Sequence, residues 1–151
     1  MSSFSLDNPV FRAYIVYSAI LAVKVLAMTL LTAMTRVIRG TFANPEDTKM
    51  FKGAKVRYDD PAVERVRRAH LNDLENIPVF WVVAALYVST NPVAAWATLL
   101  FRAFTLGRIL HSIVYAVVPL PQPARAIAFG IPFLTTAYMG AQVILYYITA
   151  L

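Results

Sequence analysis

Between Val63 and Asn76 the chain reads VERVRRAHLNDLEN, and the next twelve residues, IPVFWVVAALYV, carry no charge at all. Charges at the entrance of so apolar a segment are costly near a bilayer unless they are partnered or used. The residue types define what that use would be. Arginine offers planar, paired N–H donors that fit carboxylates and other anions. A glutamate and an asparagine beside several arginines suit a zwitterion, with the arginines on its carboxylates and the glutamate on an ammonium or amide N–H. Spacing of three or four places residues on one helix face. Arg65, Arg68, Asn72 and Glu75 therefore share a stripe, while Arg67 lies off it and His70 is nearly opposite. A second polar stripe, Phe104, Arg108, His111 and Tyr115, runs along an apolar stretch further on, and Lys24 sits deep in the first apolar stretch with Tyr17, Met28, Leu31 and Thr35 on its face.

The same spacing also permits a plainer reading, in which the charges neutralise one another. Glu75 with Arg108, or Glu64 with Arg68, would be ion pairs between or along helices, and Lys24 would be paired structurally. Arg12 and Arg102 read as snorkelling or structural. The scattered Tyr and Phe residues read as packing or interfacial belts. Spacing leaves the two readings open, and nothing in it names a ligand.

Composition narrows the setting. Hydrophobic residues make up 59% of the 151 and charged residues only 15%, too apolar for an ordinary soluble domain. A net charge of +6 is compatible with anionic lipid or an anionic small molecule, whereas such hydrophobicity argues against nucleic acid. With no cysteine there is no disulfide, thiolate metal site or Cys nucleophile, and two histidines with eight acids argue against a metal cluster. The N-terminal stretch has Asp7 and no basic residue before Arg12, so it reads as a retained membrane helix and not as a leader.

Four spans of about 20 apolar residues are expected. They run from Val10 to Thr35, Leu74 to Thr90 (with a kink at Pro78), Val93 to Val118 and Ala126 to Leu151, within a single membrane domain of residues 1–151. STNP, Ser89 to Pro92, is a tight turn, and PLPQPAR, Pro119 to Arg125, a stiff connector. The long connection from Arg36 to Asp73 is strongly basic, which places it in the cytoplasm by the positive-inside rule and gathers Arg36, Arg65, Arg67, Arg68 and Arg125 at one membrane face. Asp60 and Pro61 form a helix start, so the charged stretch is expected to be the cytoplasmic extension of the second span.

FANPED (42–47), DDPAVERVRRAHLNDLEN (59–76), GRILHSIVY (107–115) and PLPQPAR (119–125), in this order and preceded by Lys24, resemble the membrane-associated proteins in eicosanoid and glutathione metabolism. The likeness is greatest to the microsomal glutathione transferase branch and runs from about Lys24 into the fourth span. It implies an all-α integral membrane protein, a four-transmembrane-helix bundle assembled as a homotrimer, with glutathione as co-substrate bound between neighbouring subunits and no metal. Carried over residue by residue, it implies that Arg36, Arg67, Arg68, His70, Asn72, Glu75, His111 and Tyr115 contact glutathione and that Arg125 is the catalytic arginine holding its thiolate. The partners implied are a hydrophobic electrophile or lipid hydroperoxide, arriving through the bilayer of the endoplasmic reticulum or the mitochondrial outer membrane.

Two departures bear on activity. Prostaglandin E synthases of this family carry Ser and Tyr where this chain has Ala126 and Phe129, and Arg where it has Leu71, which argues against prostaglandin E synthesis as the main activity. Vertebrate microsomal transferases carry a loop cysteine where this chain has Thr48. A non-catalytic lipid-binding protein of the same family and a small structural or transport tetraspan are the competing classes. Arg68, Glu75 and Arg125 weigh against the first, and charges that only pair with each other would favour the second.

Overall fold

The computed structural model describes residues 3–149. Four long helices pack side by side: α1 (Pro9–Arg39), α3 (Pro61–Ser89), α4 (Ala94–Ser112, continued by a π-helical turn, Ile113–Val117) and α5 (Ala124–Ile148). A one-turn helix α2 (Pro45–Thr48) and two parallel two-residue strands, β1 (Thr41–Phe42) and β2 (Lys55–Val56), organise the loop between α1 and α3.

Local chemistry explains the boundaries. Asn8 caps α1 by accepting from the Val10 N–H at 2.9 Å, with Pro9 in the first turn. Gly40 ends the helix in the left-handed region, φ 59°, where a side chain would be strained. Asp60 caps α3 through the N–H groups of Ala62 (3.0 Å) and Val63 (3.2 Å), and Arg39 reaches it at 3.3 Å. The Val63 N–H above all, and then Arg39, hold the Asp60 carboxyl below its ordinary pKa. The expected helix start at Asp60 and Pro61 is therefore present. So is the turn after Ser89, where Asn91 takes φ 49°.

The 29 residues of α3 span about 43 Å, well beyond a hydrocarbon core of about 30 Å. Its first half is the charged stretch and its second half is apolar, and it continues unbroken through Pro78. Three helical segments are long and apolar enough to cross a membrane: Pro9–Arg39, Ala94–Val117 and Ala124–Ile148. The expected second span is not among them, because charge occupies half of its helix.

Side chains are distributed as in a membrane protein. Val23, Leu26 and Leu30 of α1 and Ile144 of α5 are exposed, whereas Asp73 and Arg108 are wholly buried. The apolar core is built around Phe80, stacked on Phe104 at 3.9 Å and edge-on to Phe101 at 6.0 Å, with Leu21 and Met139 completing it. Helices α4 and α5 approach closely at Gly107, where a Cβ would sit 2.7 Å from the Pro132 ring. Ser3 bonds Asn91 at 3.0 Å and Ser89 bonds Tyr147 at 2.8 Å, so both ends of the described chain meet the α3–α4 turn at one end of the bundle. The Gly40–Asp60 loop and the connector before α5 lie at the other end.

Candidate functional site

At that other end the basic residues converge. Thr32 and Arg36 of α1 and Glu64, Arg67, Arg68, His70, Leu71 and Leu74 of α3 line a groove of about 440 Å³. Arg67 donates to Glu64 at 2.7 Å, one turn apart. Both groups are partly exposed, so the pair is weak and leaves Arg67 available. The Nη1 of Arg36 is buried without a partner. His70, expected nearly opposite Arg68, lines the same groove, because long side chains from both flanks of α3 reach into it.

A second group forms where α4 loosens into its π-helical turn. The Val118 N–H bonds the Ile113 carbonyl at 2.8 Å. Tyr115 stacks on His111 with ring centres 5.5 Å apart and planes 13° from parallel. The Arg125 guanidinium, from the first turn of α5, lies over the Tyr115 ring at 5.1 Å. The Nε of Arg125 and the Nδ1 of His111 are buried and unpartnered. Phe129 closes on His111 at 6.3 Å. Tyr115 also packs on the small core of Met28, Val66 and Ala69, which ties this group to α1 and α3.

Below both groups lies a polar node centred on the wholly buried Asp73 and Arg108. The Oδ1 of Asp73 accepts from Arg108 through Nη2 at 2.5 Å and Nε at 3.2 Å. Its Oδ2 accepts from Lys24 and from the Ser112 hydroxyl at 3.3 Å. Arg108 also donates to the Asn72 side-chain oxygen at 2.9 Å.

Two expected pairings are corrected, one by this node and one in the groove. Arg108 is held by Asp73 and not by Glu75, because two residues turn a helix by about 200°. Asp73 faces the bundle and Glu75 faces out, onto a separate α3–α5 groove with Val79, Val83, Phe133 and Thr136. Glu64 is paired with Arg67, not Arg68. The proposed stripe of Arg65, Arg68, Asn72 and Glu75 is divided likewise, since Asn72 turns toward Arg108. Lys24 takes the structural pairing. Arg102 donates to the Tyr17 hydroxyl at 3.0 Å and Arg12 to the Leu6 carbonyl at 3.0 Å, so both are tied down structurally.

Spacing alone does not single out Asp73 as a partner. The signal was present: Val66, Ala69, Ile77, Phe80 and Ala84 form the buried stripe of α3, and Asp73 stands in line with them. An acid within an apolar stripe requires a buried cation. Among the described residues no three His, Cys, Asp or Glu side chains group as metal ligands.

Membrane-length apolar helices, a buried charge node and a cationic end with unpartnered guanidinium nitrogens define an α-helical membrane protein with a site suited to anions. The MAPEG family profile matches residues 14–145. The chain is 43% identical to human (Homo sapiens) microsomal glutathione S-transferase 1 over 143 residues, 92% of each protein. It is 41% identical to the same protein of Mus musculus over 143 residues, again 92% of each. Prostaglandin E synthase of Macaca fascicularis is 33% identical over 144 residues, 94% of this chain and 93% of that protein. The chain belongs to the MAPEG family.

Proposed function

We propose that this protein is a glutathione transferase that activates the glutathione thiolate for attack on hydrophobic electrophiles. The observation that carries the reading is Arg125: its guanidinium rests over Tyr115 with a buried Nε left without a partner. A buried donor without an acceptor loses about 1–3 kcal/mol, which a bound anion would recover.

The chemistry is consistent in magnitude. A free thiol has a pKa of roughly 8.5, and the thiolate is the nucleophile. Lowering that pKa by about two units needs about 2.7 kcal/mol in favour of the anion. A cation about 4 Å from it in a partly dry site supplies about 4 kcal/mol. Arg36, Arg67 and Arg68 would hold the carboxylates, with His70 beside them. Asn72, His111 and Tyr115 would complete the binding surface, and Glu75 would hold an ammonium or amide N–H. The thiolate then forms the C–S bond with the electrophile, the leaving group departs with its electron pair, and the thiol proton passes to water. No metal and no covalent enzyme intermediate enter.

Within one subunit, Glu75 and the Arg36 groove lie on different faces of α3. A site completed by a neighbouring copy suits that division, and the resemblance supplies the arrangement: a homotrimer of four-span subunits in the endoplasmic reticulum membrane, with the second half of α3 as the remaining span. Reduction of lipid hydroperoxides fits the same thiolate. Prostaglandin E synthesis is the less favoured reading, because Ala126 and Phe129 offer no hydroxyl beside Arg125.

The test follows thiolate absorbance in the ultraviolet on adding glutathione to detergent-purified protein. Wild type is expected to give the signal and Arg125→Ala to lose it, with conjugation at pH 7 falling about 25-fold, as the thiolate fraction drops from about three-quarters to about 3% when the pKa returns from about 6.5 to about 8.5. A signal that survives in Arg125→Ala moves the catalytic role to another arginine. Absence of glutathione binding in wild type favours the non-catalytic lipid-binding class.

A further inference from the structure

We propose that Asp73 is a positioning residue that fixes the ligand-facing end of Asn72 by way of Arg108; this rests on the glutathione reading above. Asp73 and Arg108 are both wholly buried. One carboxylate oxygen takes two N–H groups of the guanidinium, and the other takes Lys24 and Ser112. The guanidinium plane is therefore set by the acid, not by the ligand.

That plane decides which way Asn72 faces. Arginine has five N–H donors and no acceptor. The atom of Asn72 that meets Nη2 at 2.9 Å must therefore be the amide oxygen. The amide nitrogen is left as the free end, and no acceptor for it exists among the described side chains. Asn72 is thereby held as a donor whose amide nitrogen is available to an acceptor oxygen of a ligand. Glutathione offers such oxygens on its two carboxylates and two amide carbonyls. Without Arg108 the amide is free to turn and present its oxygen, which repels a carboxylate. The node should therefore act on glutathione binding and leave the thiolate unaffected, because Arg125 stands in a separate group with Tyr115 and His111.

A double-mutant cycle in the detergent-solubilised full chain tests this. Arg108→Lys keeps the buried positive charge opposite Asp73 but cannot bond Asp73 and Asn72 with the same planar fork. Asn72→Ala removes the donor. Binding is read by equilibrium dialysis with radiolabelled glutathione. Each single variant is expected to raise the glutathione Kd about tenfold, and the double variant no further. At saturating glutathione, the pH midpoint of the thiolate absorbance in Arg108→Lys should match wild type, which a general loosening of the site would not preserve. Effects that multiply to about a hundredfold, or an Arg108→Lys protein that binds as wild type does, would overturn the inference alone. Wild type that binds no glutathione would overturn the functional reading and this inference together. Should Arg108→Lys fail to fold, Asp73→Asn takes its place in the same cycle with the same expected coupling.

Discussion

Two clusters of basic residues sit one above the other in this bundle, and they are opposite in kind. In the node, Lys24 and Arg108 converge on Asp73, and the acid is saturated by donors from α1 and α4. At the end of the bundle, Arg36, Arg68 and Arg125 form no ion pair among the described residues; Arg36 and Arg125 each bury an unpartnered nitrogen, but so does Arg108 through its Nη1, so the facing acid and not the unpartnered nitrogen is what differs. The residue types are the same. What separates a structural arginine from a candidate ligand arginine here is the presence of an acid on the facing helix. Removing one member of a buried pair strands its partners and costs stability. Removing an unpartnered cation strands nothing and should cost binding alone.

The comparison can be broken most severely at Asp73. Asp73→Leu leaves two buried cations without an acid, and a loss of about 3–5 kcal/mol is expected. It would appear in detergent as a lower midpoint of thermal unfolding, and an unchanged midpoint would mean that the node does not hold the helices together. Arg36→Ala sharpens the contrast from the other side. Glutathione binding should weaken about tenfold with the unfolding midpoint nearly unchanged. A large fall in stability would instead place Arg36 with the structural cations.

A smaller effect concerns the Asp60 cap, which sits between the two regions in sequence but belongs to neither. Its folded pKa is depressed, chiefly by the Val63 N–H. Its contribution to stability is therefore fully present above the unfolded carboxyl pKa of about 4 and is lost as pH falls through the lower folded value. Wild type should lose part of its stability on acidification through that window. Asp60→Asn should be flatter there, and two parallel pH profiles would remove Asp60 from the account. The smallest effect expected is none. The sequence contains no cysteine, and Thr48 stands where the family resemblance implies a loop cysteine. A thiol-alkylating reagent added and removed before assay should leave conjugation unchanged, whereas stimulation would show that a group other than a protein thiol responds.

Much of the bundle could be read from residue order. The helix start at Asp60, the turn after Ser89 and the stripe from Phe104 through Arg108 and His111 to Tyr115 rest on local chemistry, and all are present. The β1–β2 pair is not legible in the sequence, since two residues per strand leave no periodic signal. Nor is the π-helical turn, because apolar residues at Ile113–Val117 read the same in either helix.

The sequence by itself determined that this chain forms long apolar helices with cations concentrated near their ends, because helix caps and hydropathy act over a few neighbouring residues. The motif order also carried the family. The tertiary structure alone decided which charges are consumed by one another. Asp73 and Glu75 are two residues apart and chemically alike, yet about 200° of helix rotation sends one to the core and the other to the surface. Which of them met Arg108 depended on where α4 lay against α3, a contact between residues 35 positions apart that no local pattern encodes.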